Sequence, residues 1–189
     1  MYSGFCTKEA IDTLDQYRGL KIKIDIEPPI PKKYHFLSGL TWLGKHALQE
    51  PDNTIYLKKK IKSLMRDTEI ILSTFPLQEH ILKRWGWIKE EKLNYNFMFY
   101  STFIPLPFRK LYKHYFKRHF LPNHKEAFIG VGLIGTGVFG TEPTYKNVKQ
   151  MKNDIQFLRR EDVETLVFFN LEAISQRGEE WLYTSLEIA

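Results

Sequence analysis

Cysteine is almost missing from this sequence, and this limits the kinds of site that the chain can build. The 189 residues include one cysteine, Cys6. A single thiol excludes an internal disulfide and a cysteine-based zinc cluster. His35 and His46 are eleven residues apart, a spacing that fits no common metal-binding pattern. We therefore expect neither a metal ion nor a cofactor.

Long apolar runs are also missing. No segment approaches the roughly 20 consecutive apolar residues that a membrane-spanning helix needs. Residues 1–5 lack the basic start and the apolar stretch of a secretory signal. We expect no signal peptide and no transmembrane segment in this chain, and the compartment stays open because a processed chain would also have lost its signal. The hydrophobic fraction of 43% is nevertheless that of a folded globular protein.

Acidic residues are missing from a long central stretch, between Lys92 and Lys125. Within it, residues 108–120 (FRKLYKHYFKRHF) alternate basic with aromatic and aliphatic side chains. We favour a helix with its aromatic and aliphatic side chains packed inward, namely Phe108, Leu111, Tyr112, Tyr115 and Phe120, and its lysines in water. The alternative is a surface that makes weak contact with anionic lipid or another anionic surface. We expect no nucleic acid partner.

Strand-like and helical segments alternate along the chain. Strands are predicted at 20–27, 69–75, 94–103, 127–134 and 165–173, with a sixth candidate at 1–5, and helices at 7–17, 56–66, 77–87, 108–120, 145–159 and 179–188. This order favours parallel strands with crossover helices. An eight-stranded barrel typically needs about 250 residues. We therefore predict an α/β fold, a partial (β/α)8 TIM-barrel-like domain with five or six parallel strands. An open doubly wound sheet is the alternative, although no Rossmann-like glycine fingerprint follows the first strand.

The domain organisation follows from this prediction. We expect a single barrel-type domain over residues 1–189, incomplete at its N-terminus, with a loop insertion at about 28–58 that holds a short helix. An incomplete barrel exposes strand edges, so self-association is a further expectation.

Two carboxylates end the first predicted strand. Asp25 and Glu27 are two residues apart, so their side chains point to the same side of the strand. They lie at its C-terminal end, where barrel active sites are found. Two neighbouring carboxylates push their pKa values apart, which keeps one of them protonated near neutral pH. The alternative is a solvated edge of the strand, continued by Lys21 and Lys23.

Residues 19–29 (GLKIKIDIEPP) resemble the fourth-strand signature of the family-18 glycoside hydrolases, the chitinase-like TIM barrels. Asp25 and Glu27 take the places of the last aspartate and the terminal glutamate of that signature. Lys23 stands where the family has an earlier aspartate. The resemblance extends over residues 19–173 and corresponds to the C-terminal portion of such a barrel.

Three later segments are similar to further strands of that family. Residues 97–100 (FMFY) resemble the sixth-strand Met-x-Tyr motif through Met98 and Tyr100, with Ser101 where an aspartate is usual. Residues 128–135 (FIGVGLIG) resemble the seventh strand. Residues 165–173 take the place of the eighth strand, with Asn170 and Glu172 near its end and without the usual tryptophan.

The resemblance implies hydrolysis of an N-acetylated polysaccharide by an acid-assisted retaining mechanism in which the substrate supplies the nucleophile. Glu27 would protonate the glycosidic oxygen, Asp25 would orient the N-acetyl group, and Tyr100 would hold that group in place. The expected partner is this carbohydrate, and the expected substrate-binding residues are Tyr34, Trp42, Met98, Asn170 and Glu172.

Several alternatives stay open. The chain could be a non-catalytic module that binds a glycan or a membrane surface, or an inactive barrel fragment. Glu172 could act with Glu27 as an ordinary acid and nucleophile pair, but we favour a capping role or an ion pair with Arg177. Tyr34 and Trp42 could stack on sugar rings or pack against the protein itself.

Overall fold

Five strands alternate with helices along the chain. The computed structural model describes residues 1–29, 36–124, 126–137 and 140–186. The strands are β1 (Lys21–Asp25), β2 (Glu69–Thr74), β3 (Asn94–Phe99), β4 (Phe128–Val131) and β5 (Leu166–Phe168), in the sheet order β1-β2-β3-β4-β5. β1 runs parallel to β2, and β4 runs parallel to β5. The predicted α/β class with parallel strands is confirmed, whereas the TIM-barrel identity stays a prediction.

The helices of the described residues follow or precede these strands. They are α1 (Lys8–Asp12), α2 (Phe36–Leu48), α3 (Thr54–Leu64), α4 (Glu79–Trp85), α5 (Leu106–Tyr115), α6 (Val148–Arg160), α7 (Leu171–Arg177) and α8 (Glu179–Leu186). A π-helical turn, Phe116–Phe120, continues α5. In the described part of the chain, no helix has the length and apolarity that crossing a membrane requires.

The chain divides into two compact units. The first comprises the described residues of Met1–Pro31 and Leu37–Asn96, and the second is formed mainly by Phe97–Ala189. In the first unit the buried side chains include Ile24, Ile26, Ile70, Leu72, Leu57, Ile61 and Leu64. The second unit buries aromatic and aliphatic side chains, among them Phe97, Phe99, Phe116, Phe120, Ile129, Val131, Met151, Ile155 and Leu158.

The local signals at the start of the chain are confirmed. Thr7 is the N-cap of α1, where its hydroxyl accepts a hydrogen bond from the Ala10 amide. The sixth strand candidate, residues 1–5, is reduced to one parallel bridge between Tyr2 and Ile26. That bridge rests on two hydrogen bonds, from the Tyr2 amide to the Asp25 carbonyl (2.8 Å) and from the Glu27 amide to the Tyr2 carbonyl (3.0 Å).

Two of the predicted strands are too long. Residues 101–103 are predicted as strand, but β3 ends at Phe99 and a 3-10 turn, Ser101–Phe103, follows it. Residues 169–173 are also predicted as strand, but β5 ends at Phe168 and Asn170 caps α7. At the second of these places the Asn170 side chain accepts a hydrogen bond from the Ala173 amide, which turns the backbone away from the ladder.

The region of the expected loop insertion, residues 28–58, contains more helix than the sequence indicates. α2 spans 13 residues, and α3 already begins at Thr54. Residues 30–35 of this region lie outside the described part. The aromatic and proline content favours irregular structure, whereas the spacing of Leu57, Ile61 and Leu64 gives α3 a continuous buried side.

Gly86 provides a test of how tightly α3 and α4 pack. It ends α4 with a φ of +114°, and a Cβ at this position would lie 2.5 Å from Leu57 Cδ2. Gly86→Ala should lower the free energy of unfolding by roughly 2–3 kcal/mol, because the left-handed backbone and the collision both act. Gly19→Ala is the matched control, because Gly19 has a φ of +77° and open space around it. The free energy of unfolding of Gly19→Ala, measured in urea, should fall by only about 1 kcal/mol. Equal decreases for the two variants would contradict this packing.

Candidate functional site

A row of polar side chains lies on one side of the sheet in the first unit. Lys23 and Asp25 point to the same side of β1, and the Lys23 Nζ is 2.9 Å from the Asp25 Oδ1. Asp25 stands opposite Ser73 of β2 in the strand register. Ser73 Oγ accepts a hydrogen bond from the Asn96 Nδ2 of β3 (2.8 Å). Ser73 and Asn96 are buried, so this side of the sheet is polar where a purely structural sheet would be apolar.

The opposite side of β1 holds the strand in place. Ile24 and Ile26 alternate with the polar residues and are fully buried in the apolar core. Beyond the last ladder pair, the Ile26 amide donates to the Ser73 carbonyl (2.7 Å), and the Thr74 hydroxyl donates to the Ile26 carbonyl (2.8 Å). The pairing with β2 therefore extends to the residue before Glu27. Glu27 itself is fixed through its amide, which donates to the Tyr2 carbonyl.

Glu27 is the most perturbed acid of the polar row. Its side chain is only 6% exposed. Burial raises the pKa of the Glu27 carboxyl from 4.5 to about 7, and the nearby charge of Asp25 acts in the same direction. The N-terminal ammonium and Lys23 oppose these two effects. A carboxyl with a pKa of about 7 is part protonated near neutral pH, which is the requirement for a general acid.

Lys23 and Asp25 form an ion pair, with the Lys23 Nζ 2.9 Å from the Asp25 Oδ1. Both side chains are about one-third exposed, at 36% and 30%. The cation occupies the strand position where the chitinase-like signature has an aspartate. The ion pair gives Asp25 a fixed partner two residues before Glu27, and it introduces a positive charge into the polar row.

Tyr100 and Met98 belong to the second unit. Both are buried at the end of β3. A Cβ on Gly132 would lie 3.1 Å from the Tyr100 Cε1, so the glycine leaves room for the phenol ring. The Tyr100 amide donates to the Met98 carbonyl (2.9 Å) and turns the chain out of the strand. The convergence of Tyr100 with Asp25 and Glu27 stays a prediction.

Asn170 and Glu172 lie in a helix start rather than at a strand end. The Asn170 Oδ1 accepts a hydrogen bond from the Ala173 amide (2.8 Å) and caps α7. Glu172 lies in the exposed first turn of α7, where its carboxylate accepts from the Gln176 Nε2 (3.1 Å). The expected ion pair with Arg177 is not formed, because this guanidinium donates to the Tyr145 carbonyl and to the Thr144 Oγ1. Asn-Leu-Glu-Ala is a capping pattern that the strand interpretation overlooked.

Of the two aromatics expected to stack on sugar, Tyr34 lies outside the described residues. Trp42 is half-buried in α2, and its Nε1 donates to the Pro29 carbonyl (2.6 Å). The Trp42 ring lies 5.1 Å from the His46 ring and 6.4 Å from the Trp85 ring, measured between centroids. These contacts favour the alternative in which Trp42 packs against the protein. Its hydrogen bond to Pro29 ties α2 to the segment that follows Glu27.

A second polar cluster, centred on Asp154 of α6, is buried in the second unit. The Asp154 carboxylate accepts hydrogen bonds from the Ser101 hydroxyl and from the Tyr145 hydroxyl (2.7 Å), and it lies 2.6 Å from the Lys113 Nζ of α5. Burial, followed by the Asp154 charge, raises the pKa of Tyr145 well above its usual range. Ser101 occupies the place of an aspartate in the Met-x-Tyr motif, and its hydroxyl instead reaches a carboxylate 53 residues away.

Ser73, Asn96 and the Asp154 cluster were not predicted from the sequence. The available signals were Ser73-Thr74 at the end of an apolar strand and Asn96 inside another. A polar side chain in a buried strand needs a hydrogen-bond partner, but its position in the sequence does not identify that partner. Among residues 1–29, 36–124, 126–137 and 140–186, no group of three or more His, Cys, Asp or Glu side chains is arranged to hold a metal ion.

Comparison with known proteins assigns no family to this chain: no protein-family model, no curated protein and no solved structure matches it. The likeness to the chitinase-like hydrolases therefore rests on the residues of the sequence alone.

Proposed function

We propose that this chain is a glycoside hydrolase-like protein that acts on an N-acetylated polysaccharide, with Glu27 as the acid. The observation that carries the proposal is the buried Glu27 carboxyl, whose pKa is raised to about 7 by burial and by the adjacent Asp25. A protonated carboxyl at the C-terminal end of a parallel strand is suited to deliver a proton to a leaving oxygen. A partial TIM-barrel-like arrangement of the parallel strands is the corresponding fold proposal.

The proposed reaction uses the substrate's own N-acetyl group. Glu27 donates its proton to the glycosidic oxygen as the bond from that oxygen to the anomeric carbon breaks. The N-acetyl carbonyl oxygen forms the new bond to the anomeric carbon, so the enzyme supplies no nucleophile. Asp25 orients the amide. Water then attacks the anomeric carbon as the bond from that carbon to the N-acetyl oxygen breaks, and it gives its proton to Glu27, which restores the acid.

A second candidate is a non-catalytic glycan-binding module, and the ion pair between Lys23 and Asp25 favours it. In a hydrolase of the proposed kind the Asp25 carboxylate must orient the substrate amide. Here the Lys23 ammonium is 2.9 Å from that carboxylate and competes for it. In the binding module the same polar row would hold sugar hydroxyls without cleaving the glycan.

Glu27→Gln separates the two candidates. The variant keeps the shape of the protonated acid but has no proton to donate, so hydrolysis of soluble chitin oligomers should be lost while their binding is retained. Product release is measured by chromatography and binding by calorimetry on the same preparations. Glu91→Gln is the matched control, because Glu91 is an exposed glutamate in the turn before β3, and it should keep the parent's hydrolysis.

The outcome is decisive in both directions. Hydrolysis by the parent chain that survives in Glu27→Gln would contradict the role of Glu27. Binding without hydrolysis in the parent chain would replace the hydrolase with the binding module. Neither binding nor hydrolysis of an N-acetylated glycan would overturn both candidates.

A further inference from the structure

The outer side of α5 is apolar where an ordinary surface helix is polar. None of the residues of α5 is fully buried. Leu106, Phe108 and Leu111 are 64%, 52% and 66% exposed. The inner side of the helix is already occupied, since the half-buried Tyr112 ring stacks on Phe99 at 5.0 Å between centroids. The sequence predicts Phe108 and Leu111 on that inner side, and this prediction is wrong.

The exposed side of α5 and of the turn after it is also positively charged. Lys110, His114 and Arg118 are exposed, and within the described residues no carboxylate pairs with Lys110 or Arg118. Their neighbours Lys113 and Lys117 point elsewhere and pair with Asp154 and Glu161. Because residues 92–125 contain no acidic side chain, nothing nearby in the sequence neutralises these cations.

The apolar and the basic side chains share one stripe. Leu106, Lys110, His114 and Arg118 recur at a spacing of four, and Leu111 precedes His114 by three, the spacings that place residues on one side of a helix. The two exposed leucines and the basic side chains are therefore presented together. Exposed apolar side chains beside Lys and Arg are typical of a helix that lies in the interface of a membrane.

We propose that this stripe, formed by Leu106, Lys110, Leu111, His114 and Arg118, binds the surface of an anionic lipid bilayer. The cations would contact lipid phosphates or carboxylates, and the two leucines would insert among the upper parts of the acyl chains. An acidic polymer in water would satisfy the cations but would leave the leucines exposed, so the apolar component decides in favour of lipid. This inference does not depend on the proposed hydrolase function.

The test is sedimentation of the chain with vesicles of phosphatidylserine and phosphatidylcholine in equal amounts, and with vesicles of phosphatidylcholine alone. The parent should sediment with the anionic vesicles, and binding should fall at high salt because the surface charges are screened. Lys110→Gln with Arg118→Gln should weaken partitioning by roughly 30-fold. Leu106→Ser with Leu111→Ser should also weaken it, and circular dichroism should report an unchanged fold because both leucines are exposed.

Ile55→Ser with Lys59→Gln on α3 is the matched control. Ile55 is 71% exposed and Lys59 is exposed, so the pair has the same chemistry at another site of the chain, and it should bind vesicles like the parent. Equal loss in this control, or no binding of the parent to anionic vesicles, would overturn the proposal. If the chain binds heparin as strongly as it binds vesicles, and the leucine substitutions do not weaken heparin binding, the stripe is a site for a soluble polyanion. A leucine variant that changes the sedimentation coefficient of the chain without lipid would assign it to self-association.

Discussion

Glu27→Gln should be more stable than the parent by about 3 kcal/mol at about pH 8 and equally stable at about pH 4. The reason is the pKa of Glu27, which is raised from 4.5 in the unfolded chain to about 7 in the folded one. Between these values the folded state holds a proton that the unfolded state has released, so stability falls as the pH rises. The loss begins near the unfolded pKa and is complete above the folded pKa. Glutamine carries no charge at any pH, so the variant does not lose this part of its free energy of unfolding as the pH rises.

Urea unfolding across this pH range measures the effect. The difference in free energy of unfolding between variant and parent isolates Glu27, because all other titrating groups are common to both chains. In an Asp25→Asn chain the loss should be smaller and complete at a lower pH, because the Asp25 charge also raises the pKa of Glu27. A constant difference between Glu27→Gln and the parent at every pH would contradict the buried acid.

Asp154→Ala should destabilise the chain by about 3–5 kcal/mol. The substitution leaves the Lys113 ammonium without its counter-ion, and it removes the acceptor of the Tyr145 and Ser101 hydroxyls. Tyr145 and Ser101 are fully buried, so water cannot replace the lost acceptor. Asp154→Asn keeps an oxygen for the hydroxyls but not the charge for Lys113, and its loss should be smaller.

Glu161→Ala is the control for a surface ion pair. Its carboxylate also lies 2.6 Å from a lysine, Lys117, but that lysine is half exposed to water. Removing this pair should cost at most about 1 kcal/mol. If Asp154→Ala and Glu161→Ala have equal effects in urea unfolding, the Asp154 cluster does not connect α5, α6 and the end of β3 as described. Lys113→Met combined with Asp154→Ala should recover part of the loss, because it removes the unpaired charge of the half-buried Lys113.

The parts of the fold that depend on local pattern were predictable from the sequence. The alternation around Ile24 and Ile26 determines both the strand and the side on which Asp25 and Glu27 lie. The N-cap at Thr7 and the apolar spacing of α3 are equally local. The carboxylate pair is therefore visible as a candidate site in the sequence alone, together with the reason for its altered acidity.

The parts that depend on distant partners were not predictable. Ser73 and Asn96 complete the polar row, but their hydrogen bond joins residues 23 positions apart. Asn170 is equally compatible with a strand end and with a helix cap until the Ala173 amide is placed beside it. In each case the sequence contains the chemical group, and the tertiary structure selects its partner.

The most direct test of this account is a carbon NMR titration of the chain labelled at its glutamate carboxyl carbons, with the Glu27 signal assigned by its loss in Glu27→Gln. The buried acid predicts one carboxyl that titrates near pH 7, the value that burial and Asp25 give to Glu27. A Glu27 signal that titrates near 4.5, the ordinary value, would show a solvated carboxylate and would remove the basis for an acid at the end of β1.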